Sequence, residues 1–529
     1  MKKYIYTLLA LLSLTGCSGF LDTIPGDSAS DKNFWKTEKD AKLGLVGCYA
    51  QFTTGYTVVY WDCASDNAYN FHRHEGYQVL GNSTLSASEP GAGFFSFTGI
   101  GVCNDYIKNE SRVNFTTAGL QEQYLAEVKA LRAYFYFIRA FNYGDYPLFE
   151  ENFENYKDAQ VPRTKQSEVY EFIERELLEV IDVLNDKNES GRFNKGAAQA
   201  LLMRYYLYTH QYEKSLKVAQ AIKGYEMPST SFEESFLLEN QHNSEMILTR
   251  DYVLNSHSFD FTAFMPNSLG GWSSVVPTQS LVESFEMADG RTIEEAMATG
   301  DYNPENPYVN RDPRLRASII YPGQVYEGKV YNSVDKDNPD YYAKANNASK
   351  TGYNFKKFNS NLAQFKGQHW NTNKSFPIFR YAEVLLTIAE AKVELGMIDD
   401  EVYLSINKVR SRAGLPNVDE AKYASQDKLR ELIRRERRVE FAMEGLRRYD
   451  IIRWGIGEET MKGQLFSCPM GVVNYDDVVN SETGDVSVSL NKAPILIEER
   501  AFKNGINELL PIPLTQLDRN KKLIQNTGY

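Results

Sequence analysis

The chain has 529 residues, 42% hydrophobic and 24% charged, proportions that exclude intrinsic disorder and a polytopic membrane protein. Its 58 Lys and Arg against 70 Asp and Glu leave a formal charge of -12, and such an acidic chain offers no basic face to nucleic-acid phosphates. Tyrosine (35) outnumbers phenylalanine (29), and its flat apolar body with a polar tip suits both helical cores and surfaces that grip polar ligands.

Lys2 and Lys3 precede a short apolar run, Tyr4 to Leu12, as in an export signal. The run is too short to span a bilayer, which takes about 20 apolar residues. Leu14-Thr15-Gly16-Cys17 then reads as a bacterial lipobox. Residues 1–16 are therefore expected to be a lipoprotein signal peptide, with lipid on Cys17; several acyl chains on one residue anchor stably where a single chain would be marginal. The remaining cysteines, Cys48, Cys63, Cys103 and Cys468, form no C-x-x-C pair and stand at no zinc-finger spacing from a histidine. Export permits a disulfide among them, but buried thiols fit as well, and spacing alone pairs none.

Residues 124–143 place Leu125, Val128, Leu131, Phe135 and Ile138 at spacings of three and four, one apolar helical face. Tyr134, Tyr136 and Phe137 widen that face until the helix must be covered on most sides, and Gly144 and Pro147 stop it. Val169 to Leu184 reads as its antiparallel partner. A second pair spans Gly196 to Lys223 and turns near His210-Gln211, with alanines where helices cross closely, the grammar of a tetratricopeptide repeat. Arg380 to Gly414 repeats it, and Leu429 to Trp454 adds a fourth helical block. The expected fold class is all-α dominated, four tetratricopeptide-like helix pairs stacked into a curved scaffold. Two stretches, roughly Phe52 to Val102 and Tyr225 to Phe376, have no helical period and are rich in Gly, Ser, Asn, Asp and Pro with interleaved aromatics. They are expected to be long loop excursions, which in a compact protein usually carry function.

At this point the sequence resembles the SusD/RagB family of surface nutrient-binding lipoproteins. The resemblance is carried by CSGFLD at 17–22, LRAYFYFIRAFNYGDYPL at 131–148, GAAQALLMRYYLYTHQYEKSL at 196–216 and RDPRLRASI at 311–319. It continues in RYAEVLLTIAEAKVELG at 380–396, INKVRSRAGLP at 406–416, RRERRVEFAMEGLRRYDIIRWG at 434–455 and LLPIPLTQLDRNKKLIQNTGY at 509–529. The order of the eight pieces matches the family's. It implies a single domain over residues 17–529, with an N-terminal part over about 17–230 and a C-terminal part over about 270–529. It also implies a lipid anchor in the cell outer membrane facing outward, capture of a glycan or other nutrient without catalysis, and a SusC-like TonB-dependent transporter as partner. A peptide-binding or purely protein-binding repeat scaffold is the alternative.

The arginine-rich segment 434–453 invites a phosphate-binding reading, but Glu431, Glu436, Glu440 and Glu444 interleave with its arginines. Glu431–Arg435 and Glu444–Arg448 have the favourable i, i+4 order, while Glu436 and Glu440 fall on the apolar stripe of Leu429, Leu432, Ile433 and Met443 and require arginine partners there. Structural ion pairing is the expected role. No G-x-S-x-G elbow, P-loop or H-E-x-x-H occurs, so no enzyme class is selected and no cofactor is expected. The His72-Arg73-His74 and Asp335 to Asp340 stretches only faintly suggest a metal, and none is expected.

The five tryptophans divide the ligand question. Trp35 and Trp454 lie in segments resembling the family scaffold and are expected to pack. Trp61, Trp272 and Trp370 lie in the loop excursions, and a flat aromatic beside Asp, Asn or Arg matches the C–H face and hydroxyl rim of a sugar. The expected ligand residues are Trp61, Asp62, Asp66, Asn67 and Tyr69, together with Trp272 and Trp370. Gly270-Gly271 before Trp272 is expected to let the backbone approach a ligand, and His369, Asn371 and Asn373 to flank Trp370.

Overall fold

The computed structural model describes residues 34–529 apart from residue 366, so the lipobox and Cys17 lie outside the described residues. The scaffold begins with α1 (Glu38–Ala50), whose Thr37 and Asp40 cap each other's backbone in a capping box. Next come α2 (Thr98–Asn109) and α3 (Leu120–Tyr143), the latter starting four residues before the apolar periodicity and ending where Gly144 turns to φ 70°. α4 (Gln166–Val180) packs along α3; α5 (Lys195–Tyr208) and α6 (Tyr212–Ala221) form the next pair, turned at His210 with φ 59°. Buried Gly196, Ala197, Ala198 and Ala200 bring α5 close to its neighbours. α7 (Tyr381–Glu394) packs on α6, on α8 (Asp400–Arg412) and on α9 (Gln426–Glu440), and α10 (Arg447–Trp454) follows. One apolar core runs through α1 to α5, and a second through α7 to α9.

The stretch between α6 and α7 is more ordered than its composition suggests. At its neck β1 (Met246–Arg250) pairs antiparallel with β2 (Phe376–Arg380), Leu248 opposite Phe379, so the excursion leaves and returns at one place. Inside it, Phe259, Phe261, Phe264 and Phe376 pack ring on ring, with Phe259 and Phe376 centroids 4.4 Å apart, at the heart of a separate aromatic core. Its elements are helices of one or two turns and two-residue strands, too short to print a period on the sequence. The stretch after Phe52 is likewise structured: the Gly55–Tyr60 helix runs into a 3-10 turn at Trp61–Ala64, and residues 58–70 are buried throughout. Two ladders were also not expected: β3 (Lys462–Phe466) with β6 (Leu496–Ala501), and β4 (Met470–Asn480) with β5 (Asp485–Lys492). Bulges in β4 break the two-residue alternation that would have revealed it. Cys48, Cys63, Cys103 and Cys468 are buried thiols.

The arginine-rich segment is an interior ion network. Glu436 pairs with Arg314 and Arg410; Glu440 with Arg380, Arg412 and Arg314; Glu444 with Arg380 and Lys357. Burial raises the Glu440 carboxyl, but Arg412, Arg380 and Arg314 more than offset it and hold it far below the carboxylate range. The expected i, i+4 pairs do not form. Arg435 reaches Glu286 instead, Glu431 takes Lys428, and Arg448 donates to the Ala64 and Asn507 carbonyls. Partners from the long excursion, Glu286 on Arg435 and Arg314 on Glu436 and Glu440, outcompete neighbours on the helix because they are buried and shared among several charges.

Candidate functional site

Of the expected ligand residues, five are inside the protein. Trp61 is 2% exposed, its ring 4.7 Å from that of Phe94. Asp62 is buried and accepts the Met443 N–H at 2.5 Å, and burial pushes its carboxyl up to about 7. Asp66 pairs with Arg438 and Arg447; burial raises its carboxyl, but the two guanidiniums win and hold it below the carboxylate range. Asn67 accepts from Arg438 Nε at 3.0 Å, and Tyr69 is buried in a strand opposite Val276. Asp66 and Asn67 thus join this turn to α9 and α10, and the five side chains are covered from the outer surface.

Trp272 and Trp370 stand outside, at 46% and 54% exposure. One strand of backbone holds both. The Phe261 N–H donates to the His369 carbonyl at 3.0 Å, and the next residue, Thr262, accepts the Trp272 N–H at 2.8 Å. Phe259 and Thr372 bridge the same segments again. The turn at 70–75 is sewn to the other side of Trp272: His72 Nε2 lies 3.1 Å from the Trp272 carbonyl, and Asn70 Nδ2 donates to the Ser274 carbonyl at 2.6 Å. Beneath it the Glu75 carboxylate collects Tyr60, Asn70 and Ser274. Ser273 is held at φ 45°, a left-handed conformation costly for serine and maintained by these contacts next to the exposed indole.

The Gly270-Gly271 pair has a different role from the one expected. Gly270 turns at φ 83°, and a Cβ on Gly271 would strike the Met265 backbone, so the glycines let this loop fold on itself. Near Trp370, His369 packs edge-on to the indole at 5.1 Å, while the Asn371 amide is used up on Asn255. Sequence reasoning missed Phe71, 38% exposed, with Lys350 Nζ 4.6 Å over its ring. That ammonium donates to the Tyr342 and Ala345 carbonyls, and burial lowers its pKa. Its signal in the sequence is an aromatic directly before the His72-Arg73-His74 stretch. Among the described residues no group of three or more His, Cys, Asp or Glu side chains is placed to hold a metal, and no helix is long and apolar enough to cross a membrane. Trp35 and Trp454 pack as expected, the latter donating to Glu390 at 2.7 Å.

Trp272, Trp370 and Phe71 are exposed aromatics on loops that backbone and side-chain hydrogen bonds tie to one another. Residues 234–529 match the model of the SusD family, more than half the chain, and the chain belongs to that family. Residues 1–18 match a prokaryotic membrane lipoprotein lipid attachment site. The chain is similar to the SusD-like protein P38 of Formosa agariphila, 26% identical over 511 residues that cover 87% of this chain and 94% of that one. It is also similar to the starch-binding protein SusD of Bacteroides thetaiotaomicron, 26% identical over 445 residues, 76% of this chain and 72% of that one. A SusD-like carbohydrate binding protein from Bacteroides fragilis superposes with TM-score 0.79 at 28% identity, covering 93% of this chain and all of the other. A laminarin binding SusD-like protein, 23% identical with TM-score 0.66 over 93% of this chain and all of the other, shares the fold.

Proposed function

We propose that this protein is a cell-surface lipoprotein that captures a glycan on the face formed by Trp272, Trp370 and Phe71 and delivers it, without catalysis, to a SusC-like TonB-dependent transporter. The observation that carries the reading is the pair of exposed indoles held by the successive residues Phe261 and Thr262. Isolated exposed apolar side chains are ordinary, but two tryptophans and a phenylalanine on adjacent, mutually braced loops form a platform. Sugar rings stack on such faces, and His72, His74, His369 and Lys350 supply polar groups for the hydroxyls. The Cys17 lipid would hold the chain to the outer membrane on its outward side. α3 to α10 would be the four tetratricopeptide-like pairs of a single domain over 17–529, which presents the platform on one side and leaves another for the transporter. Capture by the curated relatives supports the glycan over a peptide, since one is a starch-binding protein and a similar solved structure is a carbohydrate binding protein.

The test is retardation of the purified chain in native gels cast with a panel of glycans. At least one glycan should retard it, and the Trp272→Ala Trp370→Ala double variant should run freely. Retardation by none, with retention on a peptide column, would favour the alternative scaffold, and loss of glycan mass would show an enzyme.

A further inference from the structure

A cavity of about 290 Å³ lies between residues 50–58, α3, the neck strand β2 and the loop before α10, and neither Trp272, Trp370 nor Phe71 lines it. Phe52, Trp61, Phe94, Tyr134 and Tyr449 wall it with rings, and its mouth is edged by exposed Gln51 and half-buried Thr53 and Thr54. The volume suits one ring with a substituent, roughly a dozen non-hydrogen atoms. Two polar groups in its lining stand out, one without a hydrogen-bond acceptor and one without a counter-charge. The Trp61 indole N–H is buried and has no hydrogen-bond acceptor among the described residues. Arg139 is buried; its guanidinium donates to the Ser96 carbonyl at 2.6 Å and the Phe135 carbonyl at 2.9 Å, lies 5.4 Å over the Phe135 ring, and has no carboxylate partner among the described residues.

The other charges in the lining are neutralised. Arg204 is forked onto Glu383 at 2.6 and 2.7 Å, and Glu444 is held by Arg380 and Lys357. Arginine keeps its proton in any protein environment, so Arg139 leaves an unbalanced positive charge at the wall of an aromatic pocket. Buried charge without a counter-charge is unfavourable, and an unsatisfied buried N–H adds to it. A bound anion that also accepts a hydrogen bond answers both. We propose that this cavity is a second binding site, for one small ring bearing a carboxylate: the ring packs among Phe52, Tyr134 and Tyr449, and the carboxylate meets Arg139 and the Trp61 N–H.

The test is ligand-observed NMR titration of the full chain with benzoate, glucuronate and benzyl alcohol. At least one of the two acids should saturate a single site, with benzyl alcohol about tenfold weaker for want of the charge. Glucuronate alone would mark a sugar acid, and benzoate alone an aromatic acid. Trp61→Phe keeps the wall, deletes the N–H and should weaken acid binding about fivefold. Arg139→Gln should erase the preference for acid over alcohol, and Arg139→Lys should restore part of it. Trp272→Ala should change none of this. The proposal is overturned if neither acid saturates the wild-type chain, if benzyl alcohol matches the acids, or if Trp272→Ala removes acid binding. It is equally overturned if Trp61→Phe and Arg139→Gln both melt as wild type and bind the acid unchanged.

Discussion

At Asp62 a carboxyl lies wholly inside the protein, where burial lifts its pKa from the ordinary 3.8 to about 7 against the Met443 N–H it accepts. The folded state therefore holds this proton more tightly than the unfolded chain. The stability it confers is fully present below the ordinary value and is lost as pH rises toward 7. Asp62→Asn, which retains an acceptor for Met443 and has no charge to bury, should melt above wild type at pH 8, by up to about 4 kcal/mol. The gap should narrow as pH falls and close only below about pH 4, and equal melting curves at pH 8 and pH 4 would contradict the assignment. The same segment shows where residue-scale reading fails. Trp61-Asp62 with Asp66, Asn67 and Tyr69 has the composition of a sugar site, yet all five side chains are buried, and Asp66 and Asn67 are held by arginines of α9 and α10. Composition in a window of nine residues does not record that Arg438 and Arg447, almost four hundred positions away, are its partners. Trp272 and Trp370 remained exposed for the converse reason: their flanking turns use backbone bonds and leave the indoles outside.

Among the elements, the long helices were legible because each buries a continuous face through several turns, as α3 and α7 do. The strands were not, since β1, β2 and the C-terminal ladders are short, bulged or carry polar residues on both faces. The acids of α9 were read correctly as needing arginines, but not which arginines, because partner choice is decided by the tertiary fold. Two predictions belong here. Leu386 is fully buried in the middle of α7, and Leu386→Pro should cost about 3 kcal/mol or more and abolish cooperative unfolding; a thermal transition at the wild-type midpoint would contradict the shared core. Glu440→Ala strands Arg380, Arg412 and Arg314 without their common carboxylate and should cost about 3–5 kcal/mol in a denaturant melt. A loss under about 1 kcal/mol would mean the network adds little to the neighbouring Glu245, Glu436 and Glu444 pairs.

At the scale of the whole molecule, the proposed function joins a lipid anchor at Cys17 to a helical scaffold whose braced loops would present aromatics to a glycan. The order of the scaffold motifs along the chain made the architecture legible, while the proposed ligand face depends on which loop tryptophans the fold leaves outside. If Cys17 carries the only hydrophobic attachment, Cys17→Ser should release the chain from the outer-membrane fraction of cells lacking the partner transporter, and persistent membrane retention there would contradict the anchor. The most direct measurement is calorimetric titration, with the glycan that retards the wild-type chain, of Trp272→Ala, Trp370→Ala and Trp61→Phe. The account predicts that each of the first two loses at least tenfold in affinity, about 1.4 kcal/mol, while Trp61→Phe binds as wild type. Folded Trp272→Ala and Trp370→Ala variants that both bind with wild-type affinity would contradict it.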